Sequence, residues 1–114
     1  MPKAGSDLTQ QLSGRSAWLA SATHQNEDEV IVSAHQQILK NGDPIRPLLI
    51  IAPRHPERGA KLARKLRDQG WRVKVRSEGE EILADTEIYV ADTLGELGLW
   101  YRLCPIAFIG GTLV

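Results

Sequence analysis

Apolar positions along the chain fall into two kinds of segment. Ala17-Trp18-Leu19-Ala20, Leu48-Leu49-Ile50-Ile51-Ala52, Glu87-Ile88-Tyr89-Val90-Ala91 and Ile106-Ala107-Phe108-Ile109 are short, mostly apolar runs, which suit strands buried on both faces of a parallel sheet. Trp71-Arg72-Val73-Lys74-Val75-Arg76 alternates apolar and polar residues instead, the pattern of a half-exposed edge strand whose cations discourage further pairing. The segments between them repeat at helical spacing. After Asn26, a good N-cap with Glu29 three residues on, Val30, Ile31, Ala34, Ile38 and Leu39 form one stripe that Lys40-Asn41-Gly42 ends. A second helix is predicted from about Pro56 to Gln69, burying Leu62, Ala63 and Leu66, turning Lys61, Arg64, Lys65 and Arg67 to water, and stopping at Gly70. A third opens at Asp92-Thr93-Leu94-Gly95-Glu96, carries Leu97, Leu99, Trp100 and Leu103, and ends at Pro105.

This succession predicts a doubly wound α/β fold with a mainly parallel five-stranded sheet. Right-handed crossovers from a central first strand give the order 3-2-1-4-5. In that order the loops Ser21–Asn26 and Asp92–Glu96 meet at one crevice, flanked by Pro53–His55 and Gly110–Thr112. Residues 1–15 are polar and weakly patterned and are expected to be a flexible segment, leaving 16–114 as the folded part. The pattern breaks off at Gly110-Gly111-Thr112-Leu113-Val114, so the chain is expected to be a piece of a longer one. The sheet edge near Phe108 and Ile109 would then be a place for self-association.

Charge and cysteine content narrow the classes. Fourteen basic residues balance fourteen acidic ones, so no overall basic field would gather nucleic acid, and none is expected as a partner. The single cysteine, Cys104, excludes an internal disulfide and reads as a buried thiol. No stretch approaches the roughly 20 apolar residues of a membrane span. His24, His35 and His55 with one cysteine show no zinc spacing, so no metal and no cofactor is expected.

Candidate chemistry gathers where strands run into helices. Pro53 ends the second strand, Pro56 suits a first helical turn, and Arg54 stands between them. This is a phosphate corner, in which free backbone N–H groups, a positive helix end and a guanidinium favour an anion. His55 is equally a helix cap or a ligand group. Glu96 stands three residues after Thr93, so its side chain serves either a capping box or a ligand. Ser21, Thr23 and His24 are either ordinary loop residues or face the crevice, and Gly110, Gly111 and Thr112 serve either tight packing or close ligand approach.

Four motifs in order carry a family resemblance: Trp18-Leu19-Ala20-Ser21-Ala22-Thr23-His24 with acidic residues at 27 to 29, Ala52-Pro53-Arg54-His55-Pro56-Glu57-Arg58, Ala91-Asp92-Thr93-Leu94-Gly95-Glu96-Leu97, and Phe108-Ile109-Gly110-Gly111-Thr112-Leu113-Val114. They resemble the successive motifs of the 3-deoxy-D-manno-octulosonic acid (Kdo) transferases of lipopolysaccharide synthesis. The resemblance implies a GT-B glycosyltransferase, with two Rossmann-like domains and the active site between them, of which this chain matches the first part of the C-terminal, nucleotide-binding domain. It implies CMP contacts at Pro53, Arg54, Leu94, Gly95 and Glu96, although position 94 is more often methionine in the family. It places a further CMP-binding segment beyond Val114, and the catalytic base and the membrane-associating surface in the N-terminal domain. The complete enzyme would transfer Kdo from CMP-Kdo to a lipid A precursor at the cytoplasmic face of the bacterial inner membrane, and the chain alone would carry no catalytic residue and be inactive. Two alternatives remain at this point: a non-catalytic nucleotide- or phosphate-binding α/β module, and another GT-B enzyme using a UDP-sugar.

Overall fold

The computed structural model describes Leu12 and residues 15–23, 25–40, 47–104 and 106–109. Its elements in chain order are β1 (Ala17–Thr23), α1 (Gln25–Lys40), β2 (Leu48–Pro53), a 3-10 turn (Pro56–Arg58) running into α2 (Gly59–Asp68), β3 (Val73–Val75), a second 3-10 turn (Arg76–Glu78), β4 (Ile88–Val90), α3 (Leu97–Leu103) and β5 (Ile106–Ile109). All four strand pairings are parallel. The α/β class, the five strands and their direction are those expected from the sequence.

Two apolar layers enclose the sheet. Leu48 and Ile50 of β2 join Leu19, Tyr89, Trp100 and Cys104 on the face covered by α3. Leu49 and Ile51 join Ile31, Val32, Leu62, Leu66, Ile88 and Val90 on the face covered by α1 and α2. Every residue of β2 is buried, which is why the run carries no polar position. Each fully buried Leu or Ile of this kind contributes about 1.5–3 kcal/mol of burial free energy.

The strand order is β3-β4-β2-β1-β5, and it corrects the expected 3-2-1-4-5. β4 does not lie beside β1; it inserts between β2 and β3, pairing Leu49 with Ile88 on one side and Val73 with Ile88 on the other. Ile88, Tyr89 and Val90 are at most 1% exposed, so the strand needs ladder partners and cover on all sides. The alternating Val73-Lys74-Val75 keeps the edge, as its pattern predicted.

Two helices also depart from expectation. In α1, Val30 is 55% exposed while Glu27, Asp28 and His35 are buried beside Ile31 and Val32, so the inward face is rotated by one position. His35 explains the rotation: its Nδ1 accepts from Trp18 Nε1–H at 3.1 Å, its Nε2 lies 2.9 Å from the Glu87 carbonyl, and its ring stacks on Trp71. Asp28 meets Arg58 at 3.2 Å. α3 begins at Leu97 rather than Asp92, leaving residues 92–96 as a loop. Of the segment expected to be flexible, Leu12 lies in the core, and Arg15 donates to the carbonyls of Leu83 and Thr86.

Candidate functional site

β2 and β4 are neighbours, so the segments leaving their C-terminal ends are neighbours too. Between them lies a cavity of about 270 Å³ whose wall includes Pro53, Arg54, Leu94, Gly95, Leu97 and Trp100. The insertion of β4 that overturned the expected order is what brings the two segments together. Four of the five residues matched to CMP contacts, Pro53, Arg54, Leu94 and Gly95, thus line one cavity.

Each wall has a local cause. Pro53 closes β2 and is buried, after which Arg54 and His55 are exposed. Among the described residues Arg54 makes no ion pair: Glu29 is engaged by Lys65 at 3.5 Å, and Asp28 by Arg58. His55 occupies the cap position of the 3-10 turn without a side-chain capping bond. On the opposite wall Gly95 has φ of 80°, a left-handed conformation that favours glycine over side-chain-bearing residues. Leu94 beside it is 83% exposed at the cavity mouth. The start of α2 packs closely below: a β-carbon at Gly59 would stand 2.4 Å from that of Asp92.

Glu96, the fifth matched residue, adjoins the cavity with its carboxylate already engaged. Arg76 donates from Nε to Oε1 at 3.0 Å and from Nη2 to Oε2 at 2.8 Å, and the Thr93 hydroxyl also donates to Oε1. The capping-box spacing therefore produces a side-chain contact to Thr93 rather than a backbone cap, and α3 has no side-chain cap. The guanidinium holds the Glu96 carboxyl below its usual range, against the opposing effect of burial, with Thr93 adding to the lowering. Arg76 is itself driven further from deprotonation by Glu96, and its guanidinium carbon lies 5.4 Å from the Trp100 ring centroid. Asp92 is bound through both oxygens by Ser77, from the backbone N–H at 2.9 Å and from the hydroxyl at 2.7 Å.

The other candidates are distributed differently. Ser21 is fully buried at the end of β1, with its hydroxyl 2.8 Å from the Tyr101 hydroxyl, which occupies it within the fold. The Thr23 backbone stands opposite Pro53 in the β1–β2 ladder, next to the exit of β2. His24, Gly110, Gly111 and Thr112 lie outside the described residues. Among the described residues no group of three or more His, Cys, Asp or Glu is placed to hold a metal ion, and no helix is long and apolar enough to cross a membrane. Arg76 and Ser77 were missed from sequence. The clue available was that an arginine ends an edge strand whose neighbour leads into an acidic loop.

A parallel sheet, helices on both faces and a cleft outside the carboxyl ends of adjacent strands define a Rossmann-like α/β domain of the kind that binds ligands at that end. No protein-family model matches the sequence. The chain is 42% identical over 109 residues to the probable mitochondrial 3-deoxy-D-manno-octulosonic acid transferase of Arabidopsis thaliana, covering 95% of this chain and 24% of that protein. It is 38% identical over 100 residues to the 3-deoxy-D-manno-octulosonic acid transferase of Haemophilus influenzae, covering 88% and 23%. Among solved structures it matches the C-terminal CMP-Kdo binding domain of WaaA from Acinetobacter baumannii with a TM-score of 0.84 and 34% identity, covering 96% of this chain and 57% of that one. The resemblance carried by the motifs is thereby borne out: the chain is homologous to the Kdo transferases, and it spans about a quarter of the length of the curated relatives it matches.

Proposed function

We propose that this chain is the donor-nucleotide-binding part of a Kdo transferase and that the cavity between the β2 and β4 exits receives the CMP moiety of CMP-Kdo. The observation that carries this reading is the convergence of Pro53-Arg54 and Leu94-Gly95 on one cavity at the strand ends, in a chain homologous to enzymes that bear that name. Arg54, which makes no ion pair among the described residues, stands at the mouth beside the turn that begins α2. It supplies a donor for the phosphate, while the apolar wall of Leu97 and Trp100 suits the less polar face of a nucleoside.

In the complete enzyme an acceptor hydroxyl attacks the anomeric carbon of Kdo with inversion. Its proton passes to a base carried by the other domain, and the anomeric C–O bond breaks with its electron pair remaining on CMP. Negative charge on the departing phosphate grows toward the transition state, so a cation fixed beside it lowers the barrier and not merely the binding energy. The chain alone then binds nucleotide without transferring sugar. The lipid A precursor that accepts Kdo is amphiphilic, so the complete enzyme works at a membrane surface, on the cytoplasmic side where CMP-sugars are made.

A non-catalytic module of the receiver type would need a phosphoacceptor aspartate after a strand, and the aspartate that follows β4, Asp92, has both oxygens held by Ser77. Calorimetric titration of the protein with CMP, UMP and inorganic phosphate tests the proposal. Saturable binding of CMP that UMP and phosphate do not match supports it, while equal binding of CMP and UMP would favour a UDP-sugar enzyme and overturn it.

A further inference from the structure

The loop forming one wall of the cavity has no apolar anchor of its own. Leu94 points to solvent, Gly95 is in the left-handed region, and the seven-residue α3 that follows has no side-chain cap. Its shape is held from outside, and both holds come from two consecutive residues at the exit of the edge strand. Ser77 grips Asp92, where the loop leaves β4, and Arg76 grips Glu96, where the loop enters α3.

We propose that Arg76 is a positioning residue of the nucleotide cleft: together with Ser77 it straps the Asp92–Glu96 loop to the end of β3 and fixes the Leu94-Gly95 backbone in the shape that lines the cavity. The inference rests on the reading of that cavity as the nucleotide site. The geometry is that of a strap rather than an incidental surface pair. The two N–H groups of Arg76 meet the two carboxylate oxygens in a fork, which fixes orientation as well as distance, and the side chains are only 19% and 26% exposed. The Arg76 guanidinium also lies over the ring of Trp100, itself part of the cavity wall. A lysine could supply the charge but not the fork.

Arg76 from the end of β3 and Thr93 from the loop donate to the Glu96 carboxylate, with Tyr89 of β4 close enough to feel its charge. Among the described residues Arg76 is the one cation paired with it, so removing it leaves burial, which raises the carboxyl, opposed only by Thr93. That supplies a readout which a purely structural role would not move.

The test uses Arg76→Gln, Arg76→Lys and Ser77→Ala, with three measurements on each. In ligand-free protein, the side-chain carboxyl ¹³C shift of Glu96 is followed against pH. It titrates below the usual glutamate range in the parent, within or above that range in R76Q, and between the two in R76K. Hydrogen exchange at the Leu99 and Trp100 amides, which donate to the Glu96 carbonyl at the end of the loop, rises roughly tenfold in R76Q, as expected for loss of a hydrogen-bonded charge pair, and rises also in S77A. CMP affinity falls by roughly the same factor in R76Q and recovers in part in R76K. A parent Glu96 that titrates in its ordinary range, or an R76Q protein whose exchange at those amides matches the parent, overturns the proposal. So does an R76K protein no better than R76Q. Should R76Q fail to fold, the parent titration and S77A still decide. Should the parent not bind CMP, the nucleotide reading fails while the first two measurements still judge the strap.

Discussion

Arg54 and Gly95 hold the two walls of the cavity by opposite means, one through its charge and the other through its lack of a side chain. Because Arg54 is exposed and has no ion pair among the described residues, Arg54→Ala is expected to leave thermal stability within about 0.5 kcal/mol. It should weaken CMP binding roughly tenfold, the loss of one charge-assisted contact. Calorimetry on the two proteins checks both halves of that statement. Gly95→Ala should cost about 1–2 kcal/mol in denaturant unfolding, since an L-residue is strained at φ of 80°, and should weaken CMP binding as the loop relaxes. Arg54 was legible in the sequence because a strand end, two prolines and an arginine are adjacent in the chain. Arg76 was not. It stands twenty positions from Glu96, and in the sequence its alternating strand reads simply as an edge protected by cations.

Among the elements, β4 decides the site. The chain crosses from the edge strand β3 back to a position beside β2 without an intervening α-helix, through residues 76–87. Arg15 and Glu87 help to fix that return, the first through the carbonyls of Leu83 and Thr86, the second by accepting from the Arg72 N–H at 2.9 Å. Periodicity identified β4 as a buried strand but said nothing of its neighbours, because pairing between parallel strands is set by long-range packing and leaves no local mark. The contrast between all-buried Ile88-Tyr89-Val90 and alternating Val73-Lys74-Val75 held the needed clue, since only the latter tolerates an edge. Ile88 is fully buried between β2 and β3. Ile88→Ala is therefore expected to cost about 2–5 kcal/mol in urea unfolding and to disorder the cavity by loosening both strands beside it. A cost below about 1 kcal/mol, the range of a surface substitution, would argue against the central position of β4.

For the molecule as a whole, the pairing of Glu96 with Arg76 links stability to pH. The folded state holds the Glu96 carboxyl below its unfolded value, chiefly through Arg76, so at mildly acidic pH the unfolded chain binds the extra proton and the folded protein does not. Stability from this pair is complete above the unfolded value of about 4.3 and is lost as pH falls through the lower folded value. Denaturation midpoints followed from pH 7 downward should decline across that window, and the part of the decline due to the pair should vanish in Arg76→Gln. An R76Q protein with the same acid slope as its parent would contradict the assignment. The balance of fourteen basic and fourteen acidic residues shows how little of this global charge reports on the site. The anion-binding character proposed for the site is local, set by Arg54 at a strand end, and it shows in the neighbouring prolines and arginine and not in the charge total.

The claim on which the rest depends is that CMP occupies the cavity between the β2 and β4 exits, and an NMR titration of the isotopically labelled protein with CMP tests it most directly. Shifts concentrated at the Arg54, Leu94, Gly95 and Glu96 amides and at the Trp100 indole, saturating with CMP and smaller with UMP, are the predicted result. Saturating shifts located instead in the groove between α1 and α2, around Ser33, Gln36 and Gln69, would contradict it.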